Sequence, residues 1–193
     1  MPRDLARAAQ VGHRVGSDVG VMVDANGGYP TKQALTVSPA LEDLGVTWFE
    51  EPVTSDDLPG LRSVAERTRC EVTAGEYGYD LAYFARMCSA GAVDCLQVDV
   101  TRCGGITEWR RVAALAAAYH LDVSAHCAPN ATLAVAAATP NFRHAEWFHD
   151  HVRIESELFD GAARACEGAA PLPTGPGNGL SFRHPDAQRF RVR

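Results

Sequence analysis

The sequence predicts an α/β fold built on a parallel sheet, and three observations carry the prediction. Strand-like and helix-like patterns alternate from about residue 4 to about residue 148, as expected where helices connect and cover parallel strands. Six short runs, most of them nearly continuously apolar, each close on a polar group: Asp24, Glu50, Glu76, Asp99, His126 and Glu146. The first three of these groups lie 26 residues apart. That interval is room for one strand, one helix and two short loops, so it places three carboxylates at the same end of three successive parallel strands.

Taken in order, the chain opens on an amphipathic helix over about 4–15, ended by Gly16-Ser17-Asp18. Strands follow near 20–24, 46–50, 71–75, 94–98, 121–125 and 143–147, with helices near 31–44, 58–69, 80–90, 106–119 and 131–139. Ser38-Pro39 predicts a division of the 31–44 helix, with Ser38 as cap and Pro39 at the first position of a restarted helix. After Glu157 the pattern dissolves into Pro171-Leu172-Pro173-Thr174-Gly175-Pro176-Gly177-Asn178-Gly179, read as an irregular tail over 161–193. No Pro/Gly linker divides the chain before it, so residues 1–160 form one unit.

Composition narrows the function classes. With 193 residues, 46% hydrophobic and 22% charged, the chain has an ordinary globular make-up and enough length for a real core. A formal net charge of −6 with no Lys/Arg cluster beyond pairs such as Arg110-Arg111 offers a phosphate backbone no footprint, which argues against nucleic acid. Six cysteines without a CxxC pair read as free, mostly core thiols of a reduced cytoplasmic protein. There is no apolar leader after Met1 and no apolar run long enough for a membrane span.

The strand ends carry the chemistry. In β/α barrels the carboxyl ends of the strands form the active face, and six consecutive polar groups at such ends are hard to ascribe to solvation. Three carboxylates in one mouth repel each other unless a hard cation lies between them, and oxygen donors suit Mg²⁺. Asn26, before Gly27-Gly28, either reaches the metal or substrate or holds a turn. Gly104-Gly105 precedes a helix and reads as a tight turn or an anion-binding end. His149 and His151 flank Asp150 and read most simply as a solvated loop. Arg102 either counters the acidic mouth or pairs with Asp99.

Val23-Asp24-Ala25-Asn26, Phe49-Glu50-Glu51-Pro52, Ala74-Gly75-Glu76, Gln97-Val98-Asp99 with Gly104-Gly105, His126 and Glu146 together resemble the barrel of the enolase superfamily, in its mandelate racemase-like group. The likeness spans about residues 1–160 and the intervals 26, 26, 23, 27 and 20. It implies a partial TIM-type (β/α) barrel with about six of eight strands, without the first two strands and the N-terminal capping domain. It also implies that the 161–193 tail packs on that cap, and that the full-length form is a homo-oligomer. By the resemblance, Asp24, Glu50 and Glu76 bind Mg²⁺, Asp99 pairs with His126, Glu146 hydrogen-bonds the substrate carboxylate, and Glu51 is not a primary ligand. The ending Trp147-Phe148-His149-Asp150-His151 looks more like the acid-sugar dehydratases than the racemases. The chemistry is removal of a proton next to a carboxylate to give an enediolate, which needs both a positioned base and an electrostatic partner for the new charge. The family also draws a base from a Lys-x-Lys strand end, and the only lysine here is Lys32. The expectation is thus a Mg²⁺-dependent dehydratase of sugar acids, with a racemase or epimerase of 2-hydroxy acids, or a non-catalytic truncated remnant, as alternatives.

Overall fold

The computed structural model describes residues 2–192. Helix α1 (Pro2–Val15) precedes six βα-type strands: β1 (Val21–Asp24), β2 (Val46–Glu50), β3 (Glu71–Ala74), β4 (Cys95–Val98), β5 (Asp122–Ala125) and β6 (Phe142–Ala145). They form one parallel sheet in the order β1-β2-β3-β4-β5-β6. Between them run α2 (Thr31–Asp43), α3 (Leu58–Ala65), α4 (Leu81–Ala90), α5 (Gly105–Ala118) and α6 (Pro129–Ala136). The result is a curled half-barrel, the partial TIM-type barrel that the strand count predicts. No helix among the described residues is long and apolar enough to cross a membrane.

The two faces of the sheet differ in kind. Phe49, Val72, Leu96 and Val123 point outward beneath the helices and are fully buried, packed with Leu61, Phe84, Met87 and Trp109. Each such side chain contributes roughly 1.5–3 kcal/mol by leaving water. The alternate residues, Glu50, Thr73, Gln97 and Ser124 among them, are polar and line the hollow of the arc. These inner residues are buried as well, so these strands carry polar groups among their apolar ones without exposing them. Across the hollow, Arg143 of β6 donates to both carboxylate oxygens of Glu71 of β3 at 2.7 and 2.8 Å and to Asp122 at 3.2 Å. The Trp48 and His144 rings meet edge to face with centroids 4.8 Å apart.

Helix limits follow local chemistry. Asp57 and Asp80 cap α3 and α4, accepting from the N–H of Gly60 at 3.0 Å and of Tyr83 at 2.7 Å. Helix α3 stops at Ala65, short of the expected residue 69, because Glu42 takes the following segment, accepting from Thr68 Oγ1 at 2.8 Å and Arg69 N at 2.7 Å. Helix α2 is not divided at Pro39. Ser38 sends its hydroxyl back to the Ala34 carbonyl at 2.8 Å, and burial of Ala34, Val37 and Leu41 holds the helix through the proline. A further helix, α7 (His149–Leu158), occupies the stretch read as a solvated loop; none of its residues is buried, so no apolar stripe marks it in the sequence. Most of the tail is irregular, but its β8 (Ser181–Phe182) pairs antiparallel with β7 (Phe159–Asp160), just ahead of it, and helix α8 (His184–Ala187) follows. Ala165, Gly168, Ala169 and Leu172 line a groove with Phe142 and His144 of β6.

Candidate active site at the carboxyl ends of the strands

All six sequence-predicted positions project from the same end of the sheet. Asp24 and Glu50 are register partners on β1 and β2. Glu76 follows β3 through Gly75, whose φ of +138° leaves no room for a side chain: a Cβ there would collide with the Gln97 carbonyl oxygen. One carboxylate oxygen from each of Asp24, Glu50 and Glu76 lies within 4.8 Å of the others. This donor set, all hard oxygen, fits a small divalent cation such as Mg²⁺. The charges fit as well. Burial, then Asp24 and Glu146, pushes the Glu50 carboxyl up to about 8, and burial, with Glu76 and Glu146 nearby, raises Asp24. A cation between them removes that repulsion.

Beside the triad lies a dyad. His126 follows β5 and places Nδ1 2.8 Å from Asp99 Oδ2 and Nε2 3.2 Å from Glu76 Oε2. Burial would lower the imidazole pKa, but the Asp99 hydrogen bond and the Glu76 and Glu146 charges outweigh it and raise it above the ordinary histidine value. Burial likewise pushes Asp99 up, while hydrogen bonds from His126 and Thr101 overcome it and hold the carboxyl below its usual range. Thr101 supplies two of those bonds, from N at 2.7 Å and Oγ1 at 2.6 Å. Arg102 serves both of the roles open to it, with Nη1 3.3 Å from Glu76 Oε1 and Nε 3.5 Å from Asp99 Oδ2. Glu146 is half-exposed, 4.0 Å from His126 Nε2, and accepts from Cys127 N at 2.9 Å.

Asn26 turns its amide onto Asp24 and also donates its backbone N–H to that carboxylate at 2.7 Å. Its φ of +46° and its place before Gly27 mark the turn role as real. Gly104 and Gly105, at φ +106° and +81°, likewise form a tight turn into α5. Three contributors stand outside the site residues that the sequence picked out. Glu51 is buried with one carboxylate oxygen unpartnered, and burial, then Glu76 and Asp24, pushes it up to about 7. Its only signal is the Glu-Glu-Pro run. Cys127, counted among core thiols, has Sγ 3.3 Å from His126 Nε2. His151 reaches the site's border from α7, where Nδ1 accepts from Ala128 N at 3.0 Å.

Comparison with known proteins gives the chain's family and fold. A family model described as enolase C-terminal domain-like matches residues 1–187. Among curated proteins, the chain is 29% identical to D-galactarolactone cycloisomerase of Agrobacterium fabrum, over 98% of this chain and 53% of that enzyme. Among solved structures, a mandelate racemase/muconate lactonizing enzyme-like protein from Rubrobacter xylanophilus superposes with a TM-score of 0.92 at 39% identity, covering 97% of this chain and 53% of that one. L-talarate dehydratase from a Polaromonas species, complexed with Mg and L-glucarate, superposes with a TM-score of 0.88 at 29% identity, covering 96% of this chain and 51% of that one. The chain spans about half the length of the curated relatives it matches.

Proposed function

The chain belongs to the enolase C-terminal domain-like family, in its mandelate racemase-like group, and on that premise we propose that it supplies the Mg²⁺ site and the acid/base dyad of an acid-sugar dehydratase. The observation that carries the reading is the contact between the two halves of the site: Glu76 Oε2 lies 3.2 Å from His126 Nε2. A substrate whose carboxylate sits at the Asp24–Glu50–Glu76 triad thereby presents its α-carbon to the imidazole. Asp24, Glu50 and Glu76 would hold Mg²⁺, which would supply the positive charge that stabilises electrons displaced onto the carboxylate.

The chain's own groups handle the proton. Asp99 accepts from Nδ1–H, which fixes the tautomer and leaves Nε2 as the working atom. When Nε2 arrives without a proton it takes the α-hydrogen, and the imidazolium that forms is stabilised by Asp99 and Glu76. The same atom then gives a proton to the departing β-hydroxyl, so loss of water follows enolisation at one face of the substrate. Glu146 borders this path and binds the substrate carboxylate, and Asn26 holds Asp24 in place for the cation while its turn faces the substrate. A positioned base contributes about 10²–10⁴-fold, or some 3–5 kcal/mol, and a divalent cation held by Asp24, Glu50 and Glu76 would supply the larger share of the remainder. The tail from 161 packs on a capping domain, the setting is cytoplasmic, and the assembled protein is a homo-oligomer.

The test follows the α-hydrogen by NMR in D₂O, with Mg²⁺, across aldonic and aldaric acids. The expected outcome is Mg²⁺-dependent exchange together with a 2-keto-3-deoxy acid. Exchange with inversion and no keto product would replace dehydration by epimerisation, and no exchange with any acid would sink the enolising role.

A further inference from the structure

The cysteines divide by what their sulfur touches. Cys70, Cys95 and Cys103 send Sγ to backbone carbonyls, at 3.1 Å from Val46 O, 3.5 Å from Asp122 O and 3.7 Å from Gly105 O, and Cys166 lies exposed on the tail. Cys127 is different: its Sγ lies 3.3 Å from His126 Nε2 and 3.4 Å from Glu146 Oε2, and those two atoms are 4.0 Å from each other. A tetrahedral zinc ion with ordinary bond lengths sets its ligands about 3.3 Å apart for nitrogen and oxygen and about 3.6 Å apart for either with sulfur. The two sulfur separations already stand near those values, and the 4.0 Å between His126 Nε2 and Glu146 Oε2 needs only a small closing movement of the half-exposed Glu146.

A second observation points the same way. His126 turns Nδ1 onto Asp99 Oδ2 at 2.8 Å, the carboxylate–histidine arrangement that orients an imidazole for a metal on its other nitrogen. Glu76 Oε2, 3.2 Å from Nε2, lies within reach as a fourth donor. We propose that His126, Cys127 and Glu146 form a second metal site, selective for a thiophilic divalent cation of the zinc class, and that filling it switches off the acid/base dyad.

Donor chemistry separates the two sites. The all-carboxylate triad suits a hard cation, whereas nitrogen and thiolate sulfur favour zinc over magnesium. Binding is ligand exchange without redox change: the thiol proton, and the Nε2 proton where one is present, pass to water as sulfur and nitrogen take the metal. The electron pair that would accept the α-hydrogen is then tied up, and excess Mg²⁺ does not release it. Metal binding here stands apart from the dehydratase reading, since it asks nothing of a substrate.

Cobalt(II) is the probe, titrated into the folded chain in excess Mg²⁺. The expected result is a thiolate-to-cobalt charge-transfer band in the near ultraviolet with the strong visible bands of tetrahedral cobalt, displaced by zinc at one equivalent. Cys127→Ser abolishes the ultraviolet band and weakens zinc binding by at least the 10–100-fold that loss of even an outer partner costs. Glu146→Gln weakens binding while keeping the band, and Glu50→Gln leaves both unchanged. A band that survives Cys127→Ser, a band lost only in Cys166→Ser, or no band at all in the folded chain would overturn the proposal.

Discussion

The wall made by β4 and β5 and the edge made by β1 and β2 hold their acids in opposite ways. On the wall, Asp99 sits among donors from Thr101, His126 and Arg102, and its carboxyl is held low although it is buried. At the edge, Asp24 and Glu50 face each other with few donors, and both are raised. The wall is electrostatically complete from protein groups alone, while the edge is built against itself and calls for an outside cation. One half of the site is prepared for proton transfer, the other for a metal.

That contrast can be broken in order of expected effect. Replacing His126 with Asn removes the working atom of the wall and should cost turnover about 10²–10⁴-fold, some 3–5 kcal/mol, while Mg²⁺-dependent thermal stabilisation persists. Joint loss of both would merge the two halves. Next comes Glu50→Gln, for which a thermal melt should show no Mg²⁺ shift and an unliganded stability equal to or above wild type, since a neutral amide removes a repelled charge.

The same acid gives a pH signature without divalent cation. Because its folded pKa of about 8 exceeds the ordinary 4.5, the folded state holds the proton longer, and stability falls as pH rises through that interval. Denaturation midpoints at pH 6 and pH 8.5 should show the drop, and Glu50→Gln should reduce it to the share left by Glu51, whose carboxyl is pushed up to about 7; an equal drop in the variant would assign it elsewhere. Thr101→Val removes one hydrogen bond to the Asp99 carboxylate and should cost about 1.5–3 kcal/mol in urea unfolding with Mg²⁺ stabilisation retained. The smallest change is at Asn26. Asn26→Gly keeps the left-handed turn and should lose mainly metal affinity, whereas Asn26→Ala adds about 1–3 kcal/mol of backbone strain. Equal unfolding energies for the two would dismiss the turn role.

Much of this was legible from residue patterns, for reasons that also explain the gaps. Strand ends advertise themselves, because an apolar run that stops on an acid changes character at one residue, and all six positions do project from one rim. Helix α7 was hidden, since with no buried residue it carries no apolar stripe to read. Helix α2 ran through Pro39 because burial of Val37 and Leu41 outweighs a local breaker. Cys127 and Glu51 acquire their meaning in part from neighbours 19 and 25 residues away in the chain, Glu146 and Glu76, and spacing alone does not reveal which way a buried side chain turns.

The grip of Arg143 on Glu71 bears on how the chain acquires its shape. Most strand pairs join segments about 20–27 residues apart, short loops that close early, but this contact spans 72 residues. Curvature is therefore expected as a late kinetic event, after the helices and neighbouring strands have assembled. During synthesis the early strands would wait as a flatter ribbon until β6 emerged and drew them into a bowl. Arg143→Met should then slow the last refolding phase more than the first.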